Sequence, residues 1–164
     1  ILRDLAGLFP DEFLHLGGDE VDEACWEALP AVKDRMQVGG LTPHGIRQTF
    51  LDSITGQASA LGRRVVLWQE VFDDRLKLPS GAVVQAWKCQ VGGSTAKAAR
   101  AQGFATLSSA CWYLDQPGSW QGFYNLGLDG FFTGGGDADA LGQKGEAASG
   151  TLLGGEAALW TERI

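Results

Sequence analysis

Phe13-Leu14-His15-Leu16-Gly17-Gly18-Asp19-Glu20 runs an apolar segment straight into two glycines and then two adjacent carboxylates. Phe13, Leu14 and Leu16 give it strand character. Gly17 and Gly18 let the backbone turn sharply or approach a ligand closely. A strand ending this way points its acids out of a sheet, into the loops where active sites are usually built. A plainer role suits the same residues: a βα turn whose acids cap the following helix, since Asp and Glu favour helix N-termini. Strand alternation sets Phe13, His15, Gly17 and Asp19 on one side and Leu14, Leu16 and Gly18 on the other. The apolar set should face outer helices, leaving His15 inside, beneath Asp19.

Upstream, Ile1 to Phe9 has apolar residues at helical spacing and ends before Pro10, as the tail of a helix would. Downstream, Val21 to Leu29 reads as a short helix or loop ended by Pro30. Residues 30–43 read as irregular, with Gly39-Gly40 as a break. Thr42 and Pro43 form a good N-cap and first-turn pair. From there Ile46, Phe50, Ile54 and Leu61 mark one face of a long helix to about Ala60, stopped by Gly62.

Four more strands follow. Arg64-Val65-Val66-Leu67-Trp68 is β-branched, and a loop runs from it through Pro79-Ser80-Gly81. Ala82 to Trp87 is the next strand, with a helix from Gly92-Gly93-Ser94 through Arg100. Phe104 to Ser108 is the fourth, followed by a long aromatic loop and a weakly helical region. Gly134-Gly135-Gly136-Asp137 reads as a connector, and Thr151 to Gly155 is the fifth strand. Near-continuous apolar strands alternating with helices argue for a parallel sheet in an α/β protein.

Each strand is followed closely by a tryptophan or an acid: Asp19 and Glu20, Trp68 and Glu70, Trp87, Trp112 and Tyr113, Trp160 and Glu162. Function gathered at the C-terminal ends of successive parallel strands is the pattern of a (β/α)₈ barrel. A doubly wound sheet would concentrate its chemistry at one switch point. Five strands cannot close a barrel of eight, and the chain opens on Ile1 without a methionine, so it reads as an excerpt of a longer protein. No Gly-rich dinucleotide fingerprint is present.

Composition narrows the chemistry. The chain has 164 residues and 45% hydrophobic content, enough to bury a core. Its formal charge of −7 argues against nucleic acid or an anionic membrane surface as partner. No apolar run is long enough to cross a membrane as a helix. Six tryptophans exceed what packing alone needs, and Trp suits flat apolar ligand faces such as sugar rings. Cys25, Cys89 and Cys111 form no metal-binding or disulfide framework, although a single bridge is open to them. No metal or other cofactor is indicated, because no histidine pair accompanies the acids.

In this setting His15-Leu16-Gly17-Gly18-Asp19-Glu20 resembles the signature of the family 20 glycoside hydrolases, the β-N-acetylhexosaminidases. Val66-Leu67-Trp68, Gln85-Ala86-Trp87, Trp112-Tyr113-Leu114-Asp115 and Gly154-Gly155-Glu156-Ala157-Ala158-Leu159-Trp160-Thr161-Glu162 are similar to further segments of that family, in the same order. The resemblance covers nearly the whole chain. It implies that residues 1–164 form the C-terminal part of a single catalytic barrel, from the helix before strand four to the end of strand eight.

It also implies a retaining hydrolase that removes terminal N-acetylglucosamine or N-acetylgalactosamine from glycans or chitooligosaccharides. In such an enzyme the substrate's own 2-acetamido oxygen attacks the anomeric carbon and forms an oxazolinium ion. By this resemblance Glu20 is the general acid and then the base. Asp19 orients the acetamido N–H and stabilises the developing positive charge. Tyr113 donates its hydroxyl to the acetamido oxygen. Trp68, Trp87 and Trp160 wall the pocket, for which the alternative is ordinary core packing. Asp115 and Glu162 match residues that bind sugar hydroxyls, against the alternative of solvated loop acids. Glu70 and Glu156 are supporting candidates, and Trp120 is a candidate platform for a second sugar. The partner implied is an oligosaccharide, and the compartment a secreted, periplasmic or lysosomal one. The family also uses an arginine, an acid and a histidine from earlier strands, so this chain alone is expected to be inactive. The competing function is a non-catalytic sugar-binding relative, which would have no need of the proton donor Glu20.

Overall fold

The computed structural model describes residues 1–125 and 150–161. In chain order the elements are α1 (Leu2–Leu8), β1 (Phe13–His15), α2 (Glu23–Glu27), α3 (Pro30–Gly39), α4 (Pro43–Ala60), β2 (Arg64–Trp68), α5 (Glu70–Asp73), β3 (Val83–Ala86), α6 (Gly92–Ala101), β4 (Ala105–Ser108), α7 (Trp120–Asn125) and β5 (Leu152–Gly155). The five strands form one sheet in the order β1-β2-β3-β4-β5, and every neighbouring pair is parallel. A sheet whose spatial order follows the chain without reversal is a segment of a barrel wall. A doubly wound sheet would turn back at a switch point.

Side-chain alternation assigns the two faces. β2 buries Val65 and Leu67 and leaves Arg64, Val66 and Trp68 partly exposed. Val65 and Leu67 join Leu51 and Ala58 of α4, with Val71, Leu76 and Ala82, in one apolar cluster. Leu14 and Leu16 pack against the same cluster from β1, so the apolar side of the opening stretch does face the helices. The opposite face carries His15, whose ring centroid lies 4.6 Å from that of Trp68. On the helix side Leu67 is fully buried, worth about 1.5–3 kcal/mol on the usual scale of aliphatic burial.

Two expectations need correction. Residues 30–43 are largely helical, because Pro30 does not end a helix but begins α3. Proline is tolerated in a first turn, where its missing N–H would have no intrahelical partner. Gly40 closes α3 in the left-handed region at φ 60°. Of α3 only Met36 is buried, so the helix lacks the apolar stripe that would announce it. The stretch after β2 likewise holds the single turn α5 within the segment expected to be loop. The N-cap of α4 is as expected: the Thr42 hydroxyl accepts from Gly45 N at 3.1 Å.

The odd cysteine count conceals one bridge. Cys89, after β3, is bonded to Cys111, after β4, with Cα atoms 4.7 Å apart, while Cys25 is free and exposed. No helix among the described residues is long and apolar enough to cross a membrane. The connector at Gly134-Gly135-Gly136-Asp137 and the candidate Glu162 lie outside the described residues.

Candidate active site

The opening stretch turns at the C-terminal edge of the sheet. The β1–β2 ladder continues past His15, with Leu16 N donating to Val66 O at 2.9 Å and Trp68 N to Gly17 O at 3.0 Å. Gly17 and Gly18 then take φ of 72° and 101°. Gly18 is required there on two counts. Its backbone lies in a region that L-residues rarely adopt, and a Cβ would sit 2.4 Å from Val71 Cγ2. Glu20 itself has φ 46°, a left-handed conformation uncommon for a non-glycine residue and concentrated at functional sites. Neither acid caps α2, whose N-cap is Asp22, accepting from Ala24 N at 2.9 Å. The helix-cap alternative for Asp19 and Glu20 is therefore set aside.

Aromatic side chains continue from the acids along the strand ends. Trp68 meets Trp87 edge-on with centroids 6.3 Å apart. Tyr113 lies between Trp87 at 5.9 Å and Trp160 at 6.4 Å. The loops after β4 and β5 are joined by backbone pairing: Leu114 N donates to Ala158 O at 2.7 Å and Ala158 N to Trp112 O at 2.9 Å. That pairing carries Tyr113 and Trp160 to the same wall. Asp19, Glu20, Trp68, Trp87, Tyr113, Asp115, Gln116 and Trp160 together line an open cleft of about 280 Å³.

Seven of the eight residues expected at the site therefore meet at one cleft. The eighth, Glu162, is the one outside the described residues. Asp115 accepts from Trp160 N at 3.4 Å, so its carboxylate also braces the wall. Trp120 is exposed, sits edge-on to Tyr124 and does not line the cleft.

Residues behind the cleft hold Trp87 and tie the strand ends together. Trp87 Nε1 donates to Glu70 Oε2 at 2.8 Å, and Lys88 Nζ pairs with Glu70 Oε1 at 3.1 Å. Gln85 Nε2 donates to Glu156 Oε1 and to Ser109 Oγ, each at 3.1 Å. Glu70 and Glu156 thus act as supports, as expected of them. Gln69 was not expected. Fully buried, its Oε1 accepts from Trp87 N at 2.9 Å and Lys88 N at 2.8 Å, while Nε2 donates to Asp73 Oδ2 and Thr95 Oγ1. A lone glutamine in an apolar run has no spacing that marks it; the only sequence signal was its place between Trp68 and Glu70. Gln69→Leu should lower stability by about 3 kcal/mol, the upper end of the cost of stranding buried polar groups. Denaturant unfolding of the whole protein checks this, and an unchanged midpoint would refute it.

Burial and charge tune two groups. The Tyr113 phenol is held above its ordinary pKa, chiefly by burial, with the Asp19 and Glu70 carboxylates adding to the rise. Hydrogen bonding to Trp160 and Ser109 opposes that rise without reversing it. The hydroxyl therefore keeps its proton at neutral pH. His15 is shifted below its ordinary value, mainly by burial, against the opposing pull of Glu156, Gln85 and Asp19. Its Nδ1 accepts from Gly17 N at 3.1 Å, which requires that nitrogen to be unprotonated. His15, exposed at the end of β1, thus braces the turn through that bond. Among the described residues no group of three or more His, Cys, Asp or Glu could hold a metal ion.

A parallel barrel wall thus carries an acid pair, an aromatic box and a phenol around one cleft at its strand ends. The comparisons with known proteins carry this further. The catalytic-domain model of glycosyl hydrolase family 20 matches residues 1–164, and the chain belongs to that family. It is 35% identical over 168 residues to the β-hexosaminidase subunit β of Felis catus, covering 99% of this chain and 29% of that protein. An inactive mutant of the exo β-N-acetylglucosaminidase from Vibrio harveyi superposes with a TM-score of 0.72 at 25% identity, over 99% of this chain and 26% of that one. The same Vibrio harveyi enzyme in complex with N-acetylglucosamine gives a TM-score of 0.70 at 24% identity, with the same coverage. The chain spans less than a third of the relatives it matches, and its five strands are part of a (β/α)₈ barrel.

Proposed function

We propose that the whole protein carrying this chain is a retaining β-N-acetylhexosaminidase, acting on terminal N-acetylglucosamine or N-acetylgalactosamine of glycans or chitooligosaccharides. Residues 1–164 supply the C-terminal part of its single catalytic barrel. One observation carries the reading. Tyr113, protonated and boxed between Trp87 and Trp160, shares a cleft with two neighbouring acids at a glycine turn. A cleft built to hold a planar polar group against a proton donor fits a substrate that brings its own nucleophile.

In the proposed reaction the acetamido methyl sits among Trp68, Trp87 and Trp160, and Tyr113 Oη donates to the acetamido oxygen. Asp19 accepts from the acetamido N–H, which aims the oxygen at the anomeric carbon. That placement turns a poor nucleophile into an intramolecular one. As the C–O bond to the leaving group breaks, Glu20 transfers its proton to the departing oxygen. The oxazolinium ion that forms is positively charged and lies beside the Asp19 carboxylate. Glu20, now ionised, removes a proton from water as the water oxygen bonds to the anomeric carbon; the bond from that carbon to the acetamido oxygen breaks, its electron pair restores the neutral acetamido group, and the sugar leaves with its configuration retained. Asp115 binds a ring hydroxyl at the rim, with Glu162 proposed for the same task.

A thiazoline analogue of the oxazolinium ion is the direct test on the whole protein. A site tuned to the transition state should bind it at least ~10²-fold more tightly than N-acetylglucosamine. Equal affinity for both would favour a sugar-binding module instead. The isolated chain of residues 1–164 is expected to give no turnover of a chromogenic N-acetylglucosaminide, because its strands leave the barrel open. Robust turnover would contradict the partial-barrel reading.

A further inference from the structure

Helix α4 sends one buried charge toward the acid turn that the proposed chemistry does not use. Arg47 is 6% exposed. Its Nη2 donates to Gly18 O at 3.0 Å, although the two residues are 29 apart in sequence. Its Nη1 pairs with Asp74 Oδ2 at 2.6 Å, at the C-cap of α5, and Glu23 Oε1 of α2 lies 3.8 Å away. A buried guanidinium without partners would be strongly destabilising, so these contacts are obligatory rather than incidental. Its planar fork reaches a carbonyl and a carboxylate at once, which the point charge of a lysine does less well.

The carbonyl it holds is a particular one. Gly18 O belongs to the peptide unit that continues into Asp19 N, so its direction fixes how the chain enters the two acids. Gly18 also has no room for a side chain, since an added Cβ would lie 2.4 Å from Val71 Cγ2. The turn is constrained by a charged hydrogen bond at the Gly18 carbonyl and by the lack of room for a side chain at Gly18. Between them the chain reaches Glu20 in the left-handed region, which most residues leave if free to relax. We propose that Arg47 is a positioning residue for Asp19 and Glu20, locking the Gly18–Asp19 peptide so that both carboxylates face the cleft.

This inference rests on the hydrolase reading, and two readouts on the whole protein separate their failures. Arg47→Lys keeps the charge and loses the fork. On an alkyl N-acetylglucosaminide it should lower kcat by roughly 10–100-fold with KM within about twofold, as expected when reacting groups are displaced without loss of binding. The loss should shrink on a nitrophenyl glycoside, which needs less help from Glu20. Amide hydrogen exchange should quicken by at least ~10-fold at residues 17–22 and not elsewhere, reflecting local opening of the turn. Asp74→Asn, which removes the anchor of the guanidinium, should give the same pattern more weakly and carries the test where Arg47→Lys does not fold. Unaltered kcat, or quickened exchange spread over the whole chain, would overturn the proposal. A wild-type protein that hydrolyses no N-acetylhexosaminide would instead count against the hydrolase reading, while the exchange measurement still decides the role of Arg47.

Discussion

Glu20→Gln in the whole protein is expected to lower kcat on an alkyl N-acetylglucosaminide by roughly 10²–10⁴-fold, the range that positioned proton transfer supplies. Glutamine keeps the volume and the polarity of the side chain but cannot give up a proton. Glu20 is exposed at the cleft, so the variant should fold with unchanged stability. The loss should fall as the leaving group improves, because a good leaving group departs without protonation. Asp19→Asn should behave differently. It removes a charge that stabilises the oxazolinium ion, so its loss should be of similar size on good and poor leaving groups alike. KM should change little in either variant, since both interactions strengthen only on the way to the transition state. Near-normal kcat in either variant would remove that residue from the mechanism.

The contrast between these two acids shows what could be read from the sequence and what could not. The strand, the glycine break and the acids follow from local chemistry: apolar residues with period two, then Gly17 and Gly18, both at positive φ. The order of the sheet followed as well, because strands alternating with helices and ending in aromatic or acidic residues suit only one common arrangement. What failed was structure held by few apolar contacts. Helix α3 buries only Met36, so its periodicity is silent, and the single turn α5 is shorter than any window that could detect it.

The site divides along the same line. Trp68, Trp87, Tyr113 and Trp160 announce themselves by type and by position at strand ends. Gln69 and Arg47 do not. Each is an ordinary polar residue whose meaning lies in a partner distant in sequence, such as the Arg47 bond to Gly18 across 29 residues. The Cys89–Cys111 bridge falls in the same class, since three cysteines allow several pairings and only the folded loops bring these two together. Residues that meet at the cleft were legible. Those that aim them were set by the fold.

Tyr113→Phe isolates the proposed nucleophile-holding step, because it deletes one hydroxyl and leaves the aromatic box intact. The ring contacts to Trp87 and Trp160 persist in phenylalanine, so the fold at neutral pH should be unaffected. Loss of a preorganised donor at a developing charge costs about 10²–10³ in kcat at comparable sites, and that is the loss expected here. Affinity for the thiazoline analogue should fall well beyond affinity for the product sugar, since only the former presents the cyclised group to the missing donor. A rise in KM alone, with kcat retained, would make Tyr113 a binding residue instead. The phenol adds a second signature through its raised pKa. An unfolded tyrosine ionises near its ordinary value of about 10, whereas the folded Tyr113 holds its proton longer. The folded state then binds more protons than the unfolded one, so this group's contribution to stability is intact below that value and declines as pH rises through the folded pKa. The wild-type protein should therefore lose stability in strong alkali more steeply than Tyr113→Phe. Parallel alkaline unfolding curves for the two proteins would argue that burial and the Asp19 carboxylate do not hold that proton, and with it the donor on which the substrate-assisted step depends.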